Sequence, residues 1–81
     1  MARVLVRYFA SARAAAQIGE ETISAESVAD AVSQLRAKHG EPLNSILRHC
    51  TLLLDGTQVE DHTRRLTAPT ELDVLPPFAG G

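Results

Sequence analysis

The chain has 81 residues, enough for one small domain and too few for two hydrophobic cores. Ten acidic against eight basic side chains give a formal charge of -2, which argues against the basic face of a nucleic-acid module. A single cysteine, Cys50, excludes an internal disulfide, a Cys-rich zinc site and an iron-sulfur cluster. The run Met1-Ala2-Arg3-Val4-Leu5-Val6-Arg7 returns to charge at once, and no stretch of about 18 apolar residues follows. A secretory leader and a membrane span are therefore not expected, and a cytoplasmic location is.

Val4 to Phe9 is rich in β-branched and aromatic residues and predicts a first strand, with Val4, Val6 and Tyr8 facing a core and Arg3, Leu5, Arg7 and Phe9 on the other side. The alanine-rich stretch from Ala10 to Gln17, closed by Ile18-Gly19, is compatible with one or two helical turns or with an irregular crossing. Glu21 to Ser24 predicts a short strand returning antiparallel to the first. Ser27-Val28-Ala29-Asp30 has the Ser-x-x-acid form of a helix start, in which the hydroxyl accepts from an otherwise unpaired N-H. Val28, Val32, Leu35 and His39 continue at helical spacing, Lys38 suits the last turn, Gly40 suits the position after it, and Pro42 stops propagation.

Pro42 to Arg48 has room for one further turn. Cys50 to Asp55 reads as a strand, and its three consecutive leucines, Leu52 to Leu54, predict a central place in the sheet. Asp55-Gly56 signals a tight hairpin into a brief strand at Gln58-Val59, followed by a polar loop from Glu60 to Arg65 and an isolated apolar anchor, Leu66. Glu71 to Leu75 alternates and forms the last strand, which Pro76-Pro77 must end because proline has no N-H to donate. The order strand, strand, helix, strand, short strand, strand defines an α+β domain with a mixed sheet packed on one main helix, the β-grasp arrangement.

Most chemistry-bearing side chains have a structural explanation. His39, His49, Cys50 and His62 form no His-x-x-x-His or Cys-x-x-Cys pair, so no metal site is expected. Cys50 shares a strand face with Leu52 and Leu54 and behaves there as a small hydrophobe. No Gly-x-Ser-x-Gly context surrounds any serine, and the turn glycines Gly19, Gly40 and Gly56 do not make a phosphate loop. Glu71 and Asp73 share a strand face, where a wet surface is the simpler account than an acid-base pair. Arg13 and the pair Arg64-Arg65 are candidate contacts for a phosphate or a partner, or else solvated cations.

The ending Pro76-Pro77-Phe78-Ala79-Gly80-Gly81 is different. Two terminal glycines occur by chance in about 0.5% of chains, and by themselves they are equally a frayed end. The two prolines, however, stiffen the exit from the last strand, and Phe78 is an aromatic placed where no core remains to bury it. Fully extended, Pro76 to Gly81 spans about 20 Å, enough to enter a partner's active site while the domain stays outside. Glycine lacks a Cβ, so such a tip passes a narrow channel. The implied chemistry is acyl activation: a carboxylate resists nucleophiles, its mixed anhydride with AMP does not, and a sulfur donor displacing AMP leaves a thiocarboxylate.

In Val4-Leu5-Val6-Arg7-Tyr8-Phe9-Ala10 through Arg13, in the helix with Val28, Val32 and Leu35, in Asp55-Gly56 and in Asp73-Val74-Leu75-Pro76-Pro77-Phe78-Ala79-Gly80-Gly81, the chain resembles the MoaD/ThiS sulfur carriers, whose fold is a ubiquitin-like β-grasp. The Pro-Pro-x-x-Gly-Gly ending is most similar to the MoaD branch, the small subunits of molybdopterin synthase, in its actinobacterial versions. Ala68-Pro69-Thr70-Glu71 departs from the Gly-Asp-Glu turn that many members carry before the last strand. The resemblance implies that Gly81 is adenylated by a MoeB-type enzyme and receives sulfur from a donor protein to become a thiocarboxylate. The tail then enters a MoaE-type large subunit for molybdopterin synthesis.

It further implies a protein that is not catalytic alone and binds no cofactor or metal, the acyl-adenylate and thiocarboxylate being transient. Pro76, Pro77, Phe78, Ala79 and Gly80 would contact the partner, and the sheet face with Leu5 and Phe9, next to Phe78, is the expected docking surface. A ubiquitin-like protein modifier, a carrier for thiazole or cysteine synthesis, and a passive interaction domain remain as alternatives.

Overall fold

The computed structural model describes residues 1–77. The elements are β1 (Ala2–Tyr8), α1 (Ala10–Ala16), β2 (Glu20–Ala25), α2 (Val28–His39), α3 (Leu43–Leu47), β3 (Thr51–Leu54), β4 (Thr57–Gln58) and β5 (Thr70–Leu75). They build one five-stranded sheet in the order β2-β1-β5-β3-β4. β1 and β5 run parallel, and the other neighbours are antiparallel. Val4, Val6, Tyr8, Leu52, Leu54, Leu72 and Val74 point to the core side, where Val28, Ala31 and Leu35 of α2 meet them. Leu35 has no exposed surface, a burial that contributes about 2 kcal/mol. This is the mixed-sheet, ubiquitin-like β-grasp that the alternation of the strands and the stripe of the helix predict.

Local signals act as expected at α2. Ser27 is extended and its Oγ accepts from the Asp30 N-H at 3.0 Å, while Asp30 Oδ2 accepts from the Glu26 N-H at 3.0 Å. Gly40 closes the helix at φ 65° and ψ -148°, backbone that suits only glycine. At the β3-β4 hairpin Leu54 pairs with Thr57, and Asp55 and Gly56 both take positive φ, 49° and 87°. The alanine-rich stretch resolves as a helix, burying Ala12 and Ala16 and ending at Gln17 with φ 65°. Leu66 is a buried anchor whose N-H donates to the Glu26 carbonyl.

Three expectations need correction. β3 is not central, because β5 takes that place between β1 and β3. The outer edge of β3 meets only the two-residue β4, at Leu53 and Leu54. Its leucine run reflects a half-buried Leu53 on the far face rather than a strand covered on both sides. Phe9, expected to end the first strand, instead occupies the N-cap position of α1, and Leu5 is half-buried rather than exposed.

Candidate functional site: the root of the C-terminal tail

Because β1 and β5 are parallel, their C-terminal ends lie together, and Pro76 and Pro77 leave the sheet beside the start of α1. Tyr8 is aligned with Val74, and the Phe9 N-H donates to the Val74 carbonyl at 3.2 Å. β3 enters the sheet at this same end, with Thr51 opposite Leu75. Pro76 is half-buried and Pro77 exposed. The expected contacts Phe78, Ala79, Gly80 and Gly81 lie outside the described residues.

An open groove of about 400 Å³ lies at the C-terminal end of β1, on its β2 side, with Arg7, Phe9, Arg13, Gly19 and Glu20 in its wall. Phe9 is exposed at 38%, large for an aromatic. The Arg13 guanidinium rests against Gly19: a Cβ there would lie 3.4 Å from Arg13 Cζ. The solvent side of the sheet adjoins this groove. Across it run Glu20, Arg7, Asp73, Leu53 and Gln58 in register, with Leu5 between Thr22 and Glu71 in the next row. Leu5, Leu53 and Leu75 stand half-buried among the charged and polar residues of this face.

Arg7 and Asp73 are joined by two hydrogen bonds, Nε to Oδ1 at 2.8 Å and Nη2 to Oδ2 at 3.0 Å, and Glu71 lies 3.7 Å from the same guanidinium. The hydrogen bonds and charge of Asp73 push the Arg7 guanidinium further up. Glu71 and Asp73 are thus engaged by a cation and do not form an acid-base couple. The Arg7 guanidinium also lies 5.7 Å from the centre of the Phe9 ring.

A second cluster braces the groove from the core side. Glu21, its side chain 7% exposed, accepts from Tyr8 Oη at 2.6 Å and from Lys38 Nζ at 2.5 Å, and sits 2.6 Å from His39 Nε2. Burial alone would raise the Glu21 carboxyl, but the bonds from Lys38, Tyr8 and His39 outweigh it and hold the group below the usual carboxylate range. Burial and the bond to Glu21 push the Tyr8 phenol up. Neither this cluster nor the Arg7–Asp73 pair was foreseen from the sequence, because both depend on which strands become neighbours.

The remaining candidates are not gathered at the tail. Burial pushes the Cys50 thiol up to about 11, and its Sγ donates to the Ile46 carbonyl, so it is a packed thiol and not a nucleophile. Arg64 and Arg65 lie at the opposite end of the sheet, beside the start of α2. Among the described residues no group of three or more His, Cys, Asp or Glu side chains is placed to hold a metal ion. Among the described residues no helix is long and apolar enough to cross a membrane.

A β-grasp body whose last strand runs out through two prolines is the architecture of ubiquitin-like carriers. The profile of the ThiS family matches residues 6–81, and the chain belongs to that family of small ubiquitin-like sulfur carriers. Among solved structures it is similar to small archaeal modifier protein 1 from Methanosarcina acetivorans, at 28% identity and a TM-score of 0.85 over 100% of this chain and 98% of that one. It also matches the complex of subunits 1 and 2 of molybdopterin-converting factor from Helicobacter pylori, at 23% identity and a TM-score of 0.76 over 98% and 99%. Small archaeal modifier protein 1 from Haloferax volcanii follows at 20% identity and a TM-score of 0.82 over 98% and 99%. No curated protein sequence matches the chain.

Proposed function

We propose that this chain is the sulfur-donating small subunit of a molybdopterin synthase. The Gly81 carboxylate attacks the α-phosphorus of ATP and releases pyrophosphate, giving the acyl-adenylate on a MoeB-type enzyme. Hydrosulfide equivalents from a donor protein then attack the acyl carbon, the bond to the AMP oxygen breaks, and the thiocarboxylate remains. Its sulfur is the nucleophile presented to the substrate of a MoaE-type large subunit. The chain contributes the reacting group and the docking face, and catalysis belongs to the partner.

The observation that carries this reading is the family match running through the terminal Gly80-Gly81, on a β-grasp body whose last strand runs directly into the tail. The two-subunit Helicobacter pylori complex supports a large-subunit partner. A second reading, a protein modifier whose Gly81 acyl group is attacked by a lysine amine, is favoured by the 28% identity to small archaeal modifier protein 1. Removing Gly81 separates both from a passive domain. We expect it to abolish transfer of radiolabelled sulfur to the large subunit's product while leaving the melting temperature unchanged. Retained transfer would overturn the proposal, and isopeptide-linked conjugates in cells would favour the modifier.

A further inference from the structure

The ion pair in the middle of the docking face has a consequence for partner choice. Arg7 and Asp73 sit in one row across the sheet, bordered by half-buried Leu5, Leu53 and Leu75. The Asp73 side chain is already 13% exposed, so the pair has given up most of the water around its acid and satisfies itself internally through two hydrogen bonds. Arg7, 40% exposed, is the member a partner would cover. Around it stand three acids, Asp73, Glu71 and Glu20.

We infer that the Arg7–Asp73 pair is the specificity element of this face: closed on itself, it accepts an apolar, uncharged partner surface with basic residues at its rim and rejects one that places a carboxylate over Arg7. The inference rests on the sulfur-carrier reading and takes the synthase large subunit as occupant. A neutral apolar surface can cover a pair that is already hydrogen-bonded, because no charge is left unmatched. A partner carboxylate would compete with Asp73 for the guanidinium and meet the repulsion of Glu71 and Glu20. A cation at the rim would instead be drawn to Glu71, more than half exposed and held by Arg7 only at 3.7 Å, and to the exposed Glu20. The Arg7 guanidinium also lies over the Phe9 ring, which places an aromatic at the edge of the same contact.

The test is a double-variant cycle read by calorimetry, with purified large subunit of molybdopterin-converting factor from the organism of this chain as the probe. Asp73→Asn deprives the guanidinium of its two-bonded carboxylate and leaves only the looser Glu71, and Arg7→Gln leaves the Asp73 carboxylate without a cation. Each is expected to weaken binding roughly ten- to a hundredfold. The paired change Arg7→Leu with Asp73→Val removes both charges and is expected to bind within about threefold of the unaltered chain. Melting temperatures identify any variant that fails to fold, and the half-exposed Arg7 gives the more tolerant substitution of the two.

Single variants that bind within about twofold of the unaltered chain would overturn the inference alone. A paired variant as weak as the singles would also overturn it, because the partner would then be reading the charges directly. Absence of binding by the unaltered chain would overturn the large-subunit reading and the inference with it.

Discussion

At the scale of single residues, Glu21 is the side chain on which most depends. It is a half-buried residue whose nearly covered carboxylate takes donors from β1 and from the last turn of α2, so it ties the helix end to β1, the strand paired with β5. Glu21→Gln should cost about 2 kcal/mol, the weight of a buried charged hydrogen bond, and lower the melting temperature by roughly 10 °C. The pH dependence has a definite sign. The folded carboxyl lies below its ordinary value of 4.5, so its stabilisation is complete above that value and is lost as pH falls through the lower, folded one. The gap between the unaltered chain and Glu21→Gln, followed by thermal melts, should therefore be full at neutral pH and close in acid. A gap that persists in acid would assign the effect to packing instead. In the sequence Glu21 is one acid among ten and Lys38 a dipole partner at a helix end; only the packing of α2 across β2 brings the two together.

At the scale of elements, the sequence was most legible where one residue type answers one backbone need. Ser27, Gly40 and Asp55-Gly56 each do so, and the ends of α2 and the β3-β4 hairpin fall where these residues stand. Ser27→Ala should cost about 1 kcal/mol by leaving the Asp30 N-H without its acceptor, whereas Ser27→Gly should cost only a few tenths. Denaturant midpoints would check the order of the two, and equal losses would mean that the cap is satisfied by other means. Strand position was less legible. Three leucines in a row describe a strand apolar on both faces, and a half-covered face satisfies that pattern as well as a central place does. The alanine-rich stretch left helix and loop open because alanine carries high helix propensity but no face; burial of Ala12 and Ala16 decides it.

At the scale of the whole molecule, the parallel pairing of β1 with β5 is the feature that makes the site. It brings the strand exit, the start of α1, Phe9, Arg13 and the Arg7–Asp73 pair to one end, although Arg7 and Asp73 are 66 residues apart. The alternation of the strands predicted which residues face solvent, and the proposed chemistry rests on the terminal motif. The charge pattern of the sheet's solvent face emerged only from the register between two distant strands. All of this serves one claim, that Gly81 carries sulfur. The direct measurement is the intact mass of the chain after incubation with ATP, a MoeB-type adenylating enzyme and sulfide. The account predicts a shift matching exchange of one carboxyl oxygen for sulfur, absent without ATP and absent when Gly81 is removed. An unchanged mass, with an enzyme shown to activate another carrier of the family, would contradict it.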